Sequence, residues 1–351
     1  MATINDVAKR AGVAISTVSH ILNGTKHVSD EVKAKVLEAI KELNYEVDPV
    51  ARNMKAAKSK TIGIIVTNTS RIFFPPVLRS ARKEAAQHGY SLMMVDSDDD
   101  FEQEKSYINL MRQNRFDGII LDSVADLNDV KYLKEIANLS YRNKRVFVVS
   151  IERNLEPFGI DSLVPDNYCG AKMATEHLIK CGCKNVLHIT GPINSYMAKE
   201  RIKGYSDAMK ESGFQIKQGD IALGDFSPQS GYEITKRYIE SRALLKYEGI
   251  FTANDQMAVG AIKALREAGI KIPDDIKVVG FDDTFVASII DPPLTTVHVS
   301  GSQIGREAMK VLMERIKNPD AAPQCRKIET TLIIRRSTDR RAGGEWDLGN
   351  W

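Results

Sequence analysis

The chain has 351 residues, 43% of them hydrophobic and 27% charged, with a formal net charge of +3 at pH 7. That length leaves room for two or three domains and a large core, and the composition is that of a globular protein rather than a disordered or fibrous one. No apolar run approaches the ~18 residues of a membrane span and no signal peptide opens the sequence, so a cytoplasmic protein with no membrane partner is expected. Cys169, Cys181, Cys183 and Cys325 have no zinc spacing, and Cys181–Gly182–Cys183 is not a CxxC pair. They read as reduced thiols, and no metal or cofactor is expected. The positive surplus is confined to one end. Residues 1–60 hold ten Lys/Arg against seven Asp/Glu, while the remaining 39 of each sign cancel. A basic module on a neutral body suggests nucleic acid at that end.

In that module Ile4, Val7, Ala8 and Ala11 follow helical i, i+3, i+4, i+7 spacing, and Thr3 with Asp6 resembles a capping box. Ala11–Gly12–Val13 reads as a tight turn. A second helix runs from about Ile15 to Leu22, stopped by Asn23–Gly24. A third starts after Ser29 or Asp30 and turns Val32, Val36, Ala39, Ile40 and Leu43 inward. Three short helices of this kind make a small bundle with a helix-turn-helix at its front. Ala14 stands where the second helix would normally have Ser, Thr or Asp as N-cap, which costs roughly 1 kcal/mol. Ile15 points outward, where a stray Ile is common and carries no meaning alone. Beside Ser16 and His20 it can instead touch a thymine methyl, with those two side chains hydrogen-bonding to base edges in a major groove. Lys9, Arg10 and Lys26 suit phosphates, which position a module without reading sequence.

The next stretch, Asp48–Pro49–Val50–Ala51–Arg52–Asn53–Met54–Lys55–Ala56–Ala57–Lys58, reads as a helix of about two turns, capped by Asp48 and opened by Pro49. Isolated helices shorter than ~12–15 residues are marginal in water. The stretch is therefore either a conditional hinge, ordered when the front module docks, or a plain linker with a chance cap.

Thr3–Ile4–Asn5–Asp6–Val7–Ala8, Ala11–Gly12–Val13 and Ser16–Thr17–Val18–Ser19–His20 together resemble the headpiece of the LacI/GalR family of bacterial transcription regulators. Val50–Ala51–Arg52–Asn53–Met54–Lys55 resembles that family's hinge helix. The resemblance implies that Ile15, Ser16 and His20 are the main base readers and that residue 54 wedges into the minor groove at the centre of a palindromic site. Leu is usual there, and Met54 is apolar and flexible enough to act similarly. Ala14 departs from the family's Ser or Thr. The DNA-facing set is thus Thr3, Ile15, Ser16, Thr17, Ser19, His20, Asn23 and Lys26, with Arg52, Met54 and Lys55 in the hinge.

From Thr61 onward strands and helices alternate. Apolar strands are expected at Thr61–Val66, Ser91–Val95, Gly118–Leu121, Val146–Val149, Asn185–Ile189, Ile221–Leu223, Gly249–Thr252 and Val278–Phe281, separated by helices such as those after Pro75–Pro76 and over about Glu102–Gln113. Continuous apolar strands between helices mean parallel sheets covered on both faces, in two doubly wound subdomains. The fold class is α/β: a three-helix helix-turn-helix headpiece with a hinge helix, then a two-subdomain core. The family resemblance, which covers about residues 1–338, implies a periplasmic-binding-protein-like core with three crossings between subdomains. The expected division is a headpiece over 1–47, hinge and linker over 48–60, one subdomain over 61–161 and 291–321, and the other over 162–290 and 322–338. The tail, 339–351, lacks leucine heptads.

A ligand of such a core sits at the carboxyl ends of the strands, between subdomains. Phe73–Phe74, Glu152–Arg153, Asp166–Asn167, Arg201, Phe226, Asn254–Asp255 and Asp282–Asp283 all follow strands or open helices. An aromatic face with several fork-like hydrogen-bonding groups suits a sugar. A Phe after a strand is equally a core residue, and an Asp there equally a helix cap. By resemblance Phe74, Arg201, Phe226, Asn254 and Asp282 match family effector positions, and Glu152 stands where Asp is commoner. The effector set is Phe73, Phe74, Glu152, Arg153, Arg201, Phe226, Asn254 and Asp282. There is no GxGxxG after the first strand, no Walker A, no GxSxG and no HExxH, so no enzyme is expected and no catalytic residue is assigned. The expected function is a homodimeric repressor bound to a pseudopalindromic double-stranded operator and controlled by a small carbohydrate. The rival readings are a solute-binding protein or a sugar-processing enzyme with the same type of core.

Overall fold

The computed structural model describes residues 2–23, 26–45 and 59–343. The helix expected over 48–58 and the tail beyond 343 lie outside these. The chain divides into two compact units, Met1–Ser59 and Lys60–Trp351.

The first unit contains α1 (Ile4–Ala11), α2 (Ile15–Asn23) and α3 (Asp30–Glu42). The capping box forms as the sequence suggests. Thr3 N–H donates to Asp6 Oδ2 at 2.8 Å and Asp6 N–H to Thr3 Oγ1 at 3.4 Å. Gly12, at φ 65°, ends α1 in the left-handed conformation that glycine adopts without strain. The Ala14 carbonyl accepts from Thr17 and Val18, but a methyl cannot cap the free N–H groups of the first turn. Val7, Ala8, Val18, Val36 and Ala39 form the core, with Ile21, Leu22, Ile40 and Leu43 half-buried around it. Val32, expected inside, is also only half-buried.

The second unit contains two six-stranded sheets. The first runs β11-β5-β4-β3-β1-β2, all parallel, from β1 (Thr61–Val66), β2 (Ser91–Asp96), β3 (Gly118–Leu121), β4 (Phe147–Ile151), β5 (Asp161–Pro165) and β11 (Cys325–Ile328). Its helices are α4 (Phe74–Gln87), α5 (Phe101–Gln113), α6 (Val130–Ala137) and α12 (Gly301–Lys317). Pro75 and Pro76 fall in the first turn of α4, where a missing N–H is tolerated. Side chains of β1 alternate between faces. Ile62, Ile64 and Val66 pack with Val77, Ala81, Ile304 and Ala308, while Ile65 packs with Ile108, Met111 and Leu133. That double covering is why the strand is apolar at nearly every position.

The second sheet runs β12-β10-β9-β8-β6-β7, from β6 (Val186–Thr190), β7 (Ile221–Leu223), β8 (Gly249–Thr252), β9 (Lys277–Asp282), β10 (Thr295–His298) and β12 (Thr331–Ile333). Only β12 is antiparallel, with Val297 opposite Leu332. Its helices are α7 (Asn167–Lys180), α8 (Tyr196–Glu211), α9 (Pro228–Glu240), α10 (Asp255–Glu267) and the short α11 (Phe285–Ile289).

The chain passes between the sheets three times, after β5, after β10 and between β11 and β12. This corrects the expected borders at 161/162, 290/291 and 321/322. β5 belongs to the first sheet, where Ser150 pairs with Ser162, and so does β11, where Cys325 pairs with Ser162. β10 belongs to the second sheet, where Val279 pairs with Thr295. Nothing in composition marks these crossings, because the strands on either side are equally suited to either sheet.

The headpiece is small enough for its cap to matter. Thr3→Ala lowers headpiece stability by about 1 kcal/mol, read as an earlier loss of headpiece helicity in a thermal melt with the core transition unchanged.

Candidate functional site

On the first unit, α2 turns Val18 fully inward. Ser16 lies on the opposite face, Ile15 stands 46% exposed at its flank, and Thr17, Ser19 and His20 are half-buried. One face therefore offers a methyl-bearing side chain and several hydroxyl or imidazole groups at helical spacing, the mixture a major groove accepts. Thr3 is exposed but serves the α1 cap through Asp6. Lys9 and Lys26 are exposed, whereas Arg10, suited by sequence to a phosphate, pairs with Glu42 at 2.6 Å. The Asn23 side chain and Arg52, Met54 and Lys55 lie outside the described residues.

In the second unit a cleft opens at the carboxyl ends of the strands, lined by Arg71, Phe73, Phe74, Asp122, Glu152, Met197, Arg201, Phe226, Asn254, Gln256 and Asp282. Phe73, Phe74, Glu152, Arg201, Phe226, Asn254 and Asp282 are thus brought together as expected. Arg153 is not: it lies outside the lining, and its guanidinium donates to the Ala125 carbonyl. The bond to Ala125 holds the Arg153 side chain away from the lining to which Glu152 belongs. Arg71, Asp122, Met197 and Gln256 were not expected. Asp122 directly follows β3, so it carries the same local signal as the other strand-end carboxylates. Arg71 and Gln256 carry no comparable local signal.

Each wall is fixed by specific bonds. Arg201, only 3% exposed, comes from α8. Its Nε donates to Asn167 Oδ1 at 2.8 Å, one terminal nitrogen to the Ala253 carbonyl and the other to Asp282 Oδ1 at 3.5 Å. Its guanidinium also lies 3.7 Å from the centre of the Phe281 ring. Asn254 caps α10 by accepting from Met257 N–H at 2.9 Å and donates to the Phe226 carbonyl at 3.0 Å. Phe226 packs over Gly191, where a Cβ would stand 2.2 Å from the ring, so only glycine leaves the ring its seat. Gln256 bridges the two halves: its Oε1 accepts from Ile72 N–H at 3.0 Å and its Nε2 donates to the Ser70 carbonyl at 3.2 Å.

Glu152, Phe226 and Asp282 have φ values of 67°, 70° and 103°. Side-chain-bearing residues there cost about 1–3 kcal/mol each and persist where the surrounding structure fixes them, commonly at ligand sites. Asp255, also a strand-end carboxylate, is different. It is fully buried and accepts from Thr284 N–H at 2.6 Å and Thr296 Oγ1 at 2.6 Å, so it braces the fold outside the cleft lining.

Burial, then the charge of Asp122, pushes Glu152 up to about 8, against which the pull of Arg201 is insufficient. Burial pushes Asp282 up to about 6 despite Arg201. A raised carboxyl pKa means that the folded chain holds a proton which the unfolded chain has released. The associated stability is full below about pH 4.5, the ordinary value, and is lost as pH rises through about 8. Glu152→Gln has no proton to lose. It melts with wild type near pH 4 and outlasts it near pH 9 by on the order of 1–3 kcal/mol, checked by melting both across that range.

Residues 3–48 match the family described as bacterial regulatory proteins, lacI family, and residues 175–338 match the periplasmic binding protein-like domain. The chain is 36% identical over 342 residues to the HTH-type transcriptional repressor PurR of Haemophilus influenzae strain PittEE, covering 96% of this chain and 98% of that one. It superposes on the lac repressor dimer bound to operator and the anti-inducer ONPF with a TM-score of 0.85 at 27% identity, over 96% of this chain and 99% of that chain. For the transcriptional regulator CelR in complex with cellobiose the TM-score is 0.70 at 26% identity, over 96% of this chain and 100% of that chain. With a helix-turn-helix unit, a core of two parallel-sheet halves and a repressor relative matching nearly end to end, the chain belongs to the LacI family and is a DNA-binding transcriptional repressor.

Proposed function

We propose that this repressor responds to a small carbohydrate held in the cleft between the two core sheets. The observation that carries the reading is the pairing of an aromatic wall, Phe226 with Phe73 and Phe74, with carboxylates and Arg201 at strand ends. A pyranose offers the same two aspects, an apolar ring face and a rim of hydroxyls. The cellobiose complex of a similar regulator supports it. A purine is the second reading, favoured by the name of the PurR relative.

Two chains pair through their cores and present two headpieces to a pseudopalindromic operator. On α2, Ile15, Ser16 and His20 read bases, with Thr17, Ser19, Asn23 and Lys26 around them and Thr3 nearby. The paired hinge segments order in the minor groove, with Met54 as wedge and Arg52 and Lys55 on the backbone. A ligand that alters the cleft alters the spacing of the two chain exits near Lys60, and with it the pairing of the hinges. Coupling of this type is worth ~1–3 kcal/mol, or roughly 5–150-fold in operator affinity.

Two substitutions separate the parts. His20→Ala lowers discrimination at one base pair by ~1–3 kcal/mol, measured by fluorescence anisotropy on a set of operator variants. A uniform loss across all sequences makes His20 a backbone contact instead. Arg201→Lys keeps the charge but not the fork, so the response to effector falls by about tenfold or more while operator binding stays as in wild type. A variant with a normal response removes Arg201 from the ligand site. A thermal-shift screen of sugars and purines on the full chain decides between the two ligand readings.

A further inference from the structure

Hydrogen-bond donors and acceptors are unequally supplied in the cleft. Three carboxyl groups face it, those of Asp122, Glu152 and Asp282. The two guanidinium groups facing them are already engaged. Arg71 donates to Thr67 Oγ1 at 2.7 Å and to both oxygens of Asp99 at 2.7 and 2.9 Å. Asp99 is outside the cleft lining, so much of the donor capacity of Arg71 is spent from behind while its charge still acts on all three carboxyls. Arg201 uses its Nε and both terminal nitrogens on Asn167, Ala253 and Asp282. The Asn254 and Gln256 amides donate to the carbonyls of Phe226 and Ser70.

Glu152 has the opposite need. It is 4% exposed, and its Oε1 is buried with no hydrogen-bond partner among the described residues. A buried polar atom left in this way costs about 1–3 kcal/mol, which a ligand donor would recover. All three carboxyls have pKa values raised above the ordinary range, chiefly by burial, so the site already resists negative charge.

We infer that the cleft takes a carbohydrate with no anionic substituent, one that offers a hydroxyl or ammonium donor to Glu152, and that it rejects sugar phosphates and uronic acids. This rests on the carbohydrate reading above. A phosphate dianion entering here would face three buried carboxyls and find most of the guanidinium nitrogens already bonded, so little would compensate it for the water it loses. A neutral sugar brings donors without charge, and an amino sugar brings a cation to an acceptor-rich wall.

Matched sets test the inference on the full chain: glucose, glucosamine, the phosphate ester of glucose and glucuronate, the galactose counterparts, cellobiose, and hypoxanthine and guanine. Each is followed by thermal shift and then by titration calorimetry. A neutral or amino sugar should bind, with its phosphate ester or uronate weaker by about tenfold or more. In Glu152→Leu, which removes the buried acceptor altogether, the neutral or amino sugar loses its partner and that ratio narrows several-fold. A phosphate ester or uronate that matches or exceeds its parent overturns the inference and leaves the carbohydrate reading standing. Stabilisation by a purine alone, or by no member of the panel, overturns both. An unchanged ratio in Glu152→Leu overturns the assignment to Glu152.

Discussion

A guanidinium with 3% of its surface exposed keeps its charge only if the fold surrounds it with acceptors, and Arg201 is so surrounded. Its partners come from the start of α7, the residue after β8 and the end of β9. Three elements of the second sheet are therefore registered on one side chain, and the cleft floor is the product. The contact to Asp282 is the loosest of the three, at 3.5 Å. Burial lowers the pKa of Arg201 while Asp282 is raised to about 6, so each partner is only partly compensated by the other. A site in which charge is held but not fully neutralised can still respond to what enters it.

The two units separate two kinds of recognition. The headpiece depends on a few local bonds and a small core, and it presents its polar side chains at the surface. The core hides its polar groups, and the energy of its cleft lies in desolvation and in residues such as Glu152, Phe226 and Asp282 kept in left-handed backbone. Exposure suits a duplex, whose phosphates and base edges are met in water. Burial suits a small solute, whose hydroxyls are distinguished only when water is excluded.

Much of this was legible from residue order, and the legible parts share a cause. The capping box at Thr3 and Asp6, the turn at Gly12, and the apolar strands Thr61–Val66 and Gly118–Leu121 are set by neighbours in the chain or by burial on both faces, and both leave a pattern in sequence. The strand Thr295–His298 leaves none. Its buried Thr295 and Thr296 are satisfied by Arg335 and Asp255, which are remote in sequence. Arg71 and Gln256 are likewise defined by partners that only the folded chain supplies, Phe226 and Asp99 for the one, Ser70 and Ile72 for the other. Arg153 shows the converse error, a residue placed in the cleft because its neighbour belongs there.

The order of strands has a consequence for synthesis. β11 and β12 are the outermost strands of their respective sheets, and only Glu329 and Thr330 lie between them. Each joins a sheet whose other strands all precede it in the chain, so both sheets gain an outermost strand within a few residues of one another. Until then β5 and β10 are exposed edges, the condition in which strands pair with the wrong neighbour.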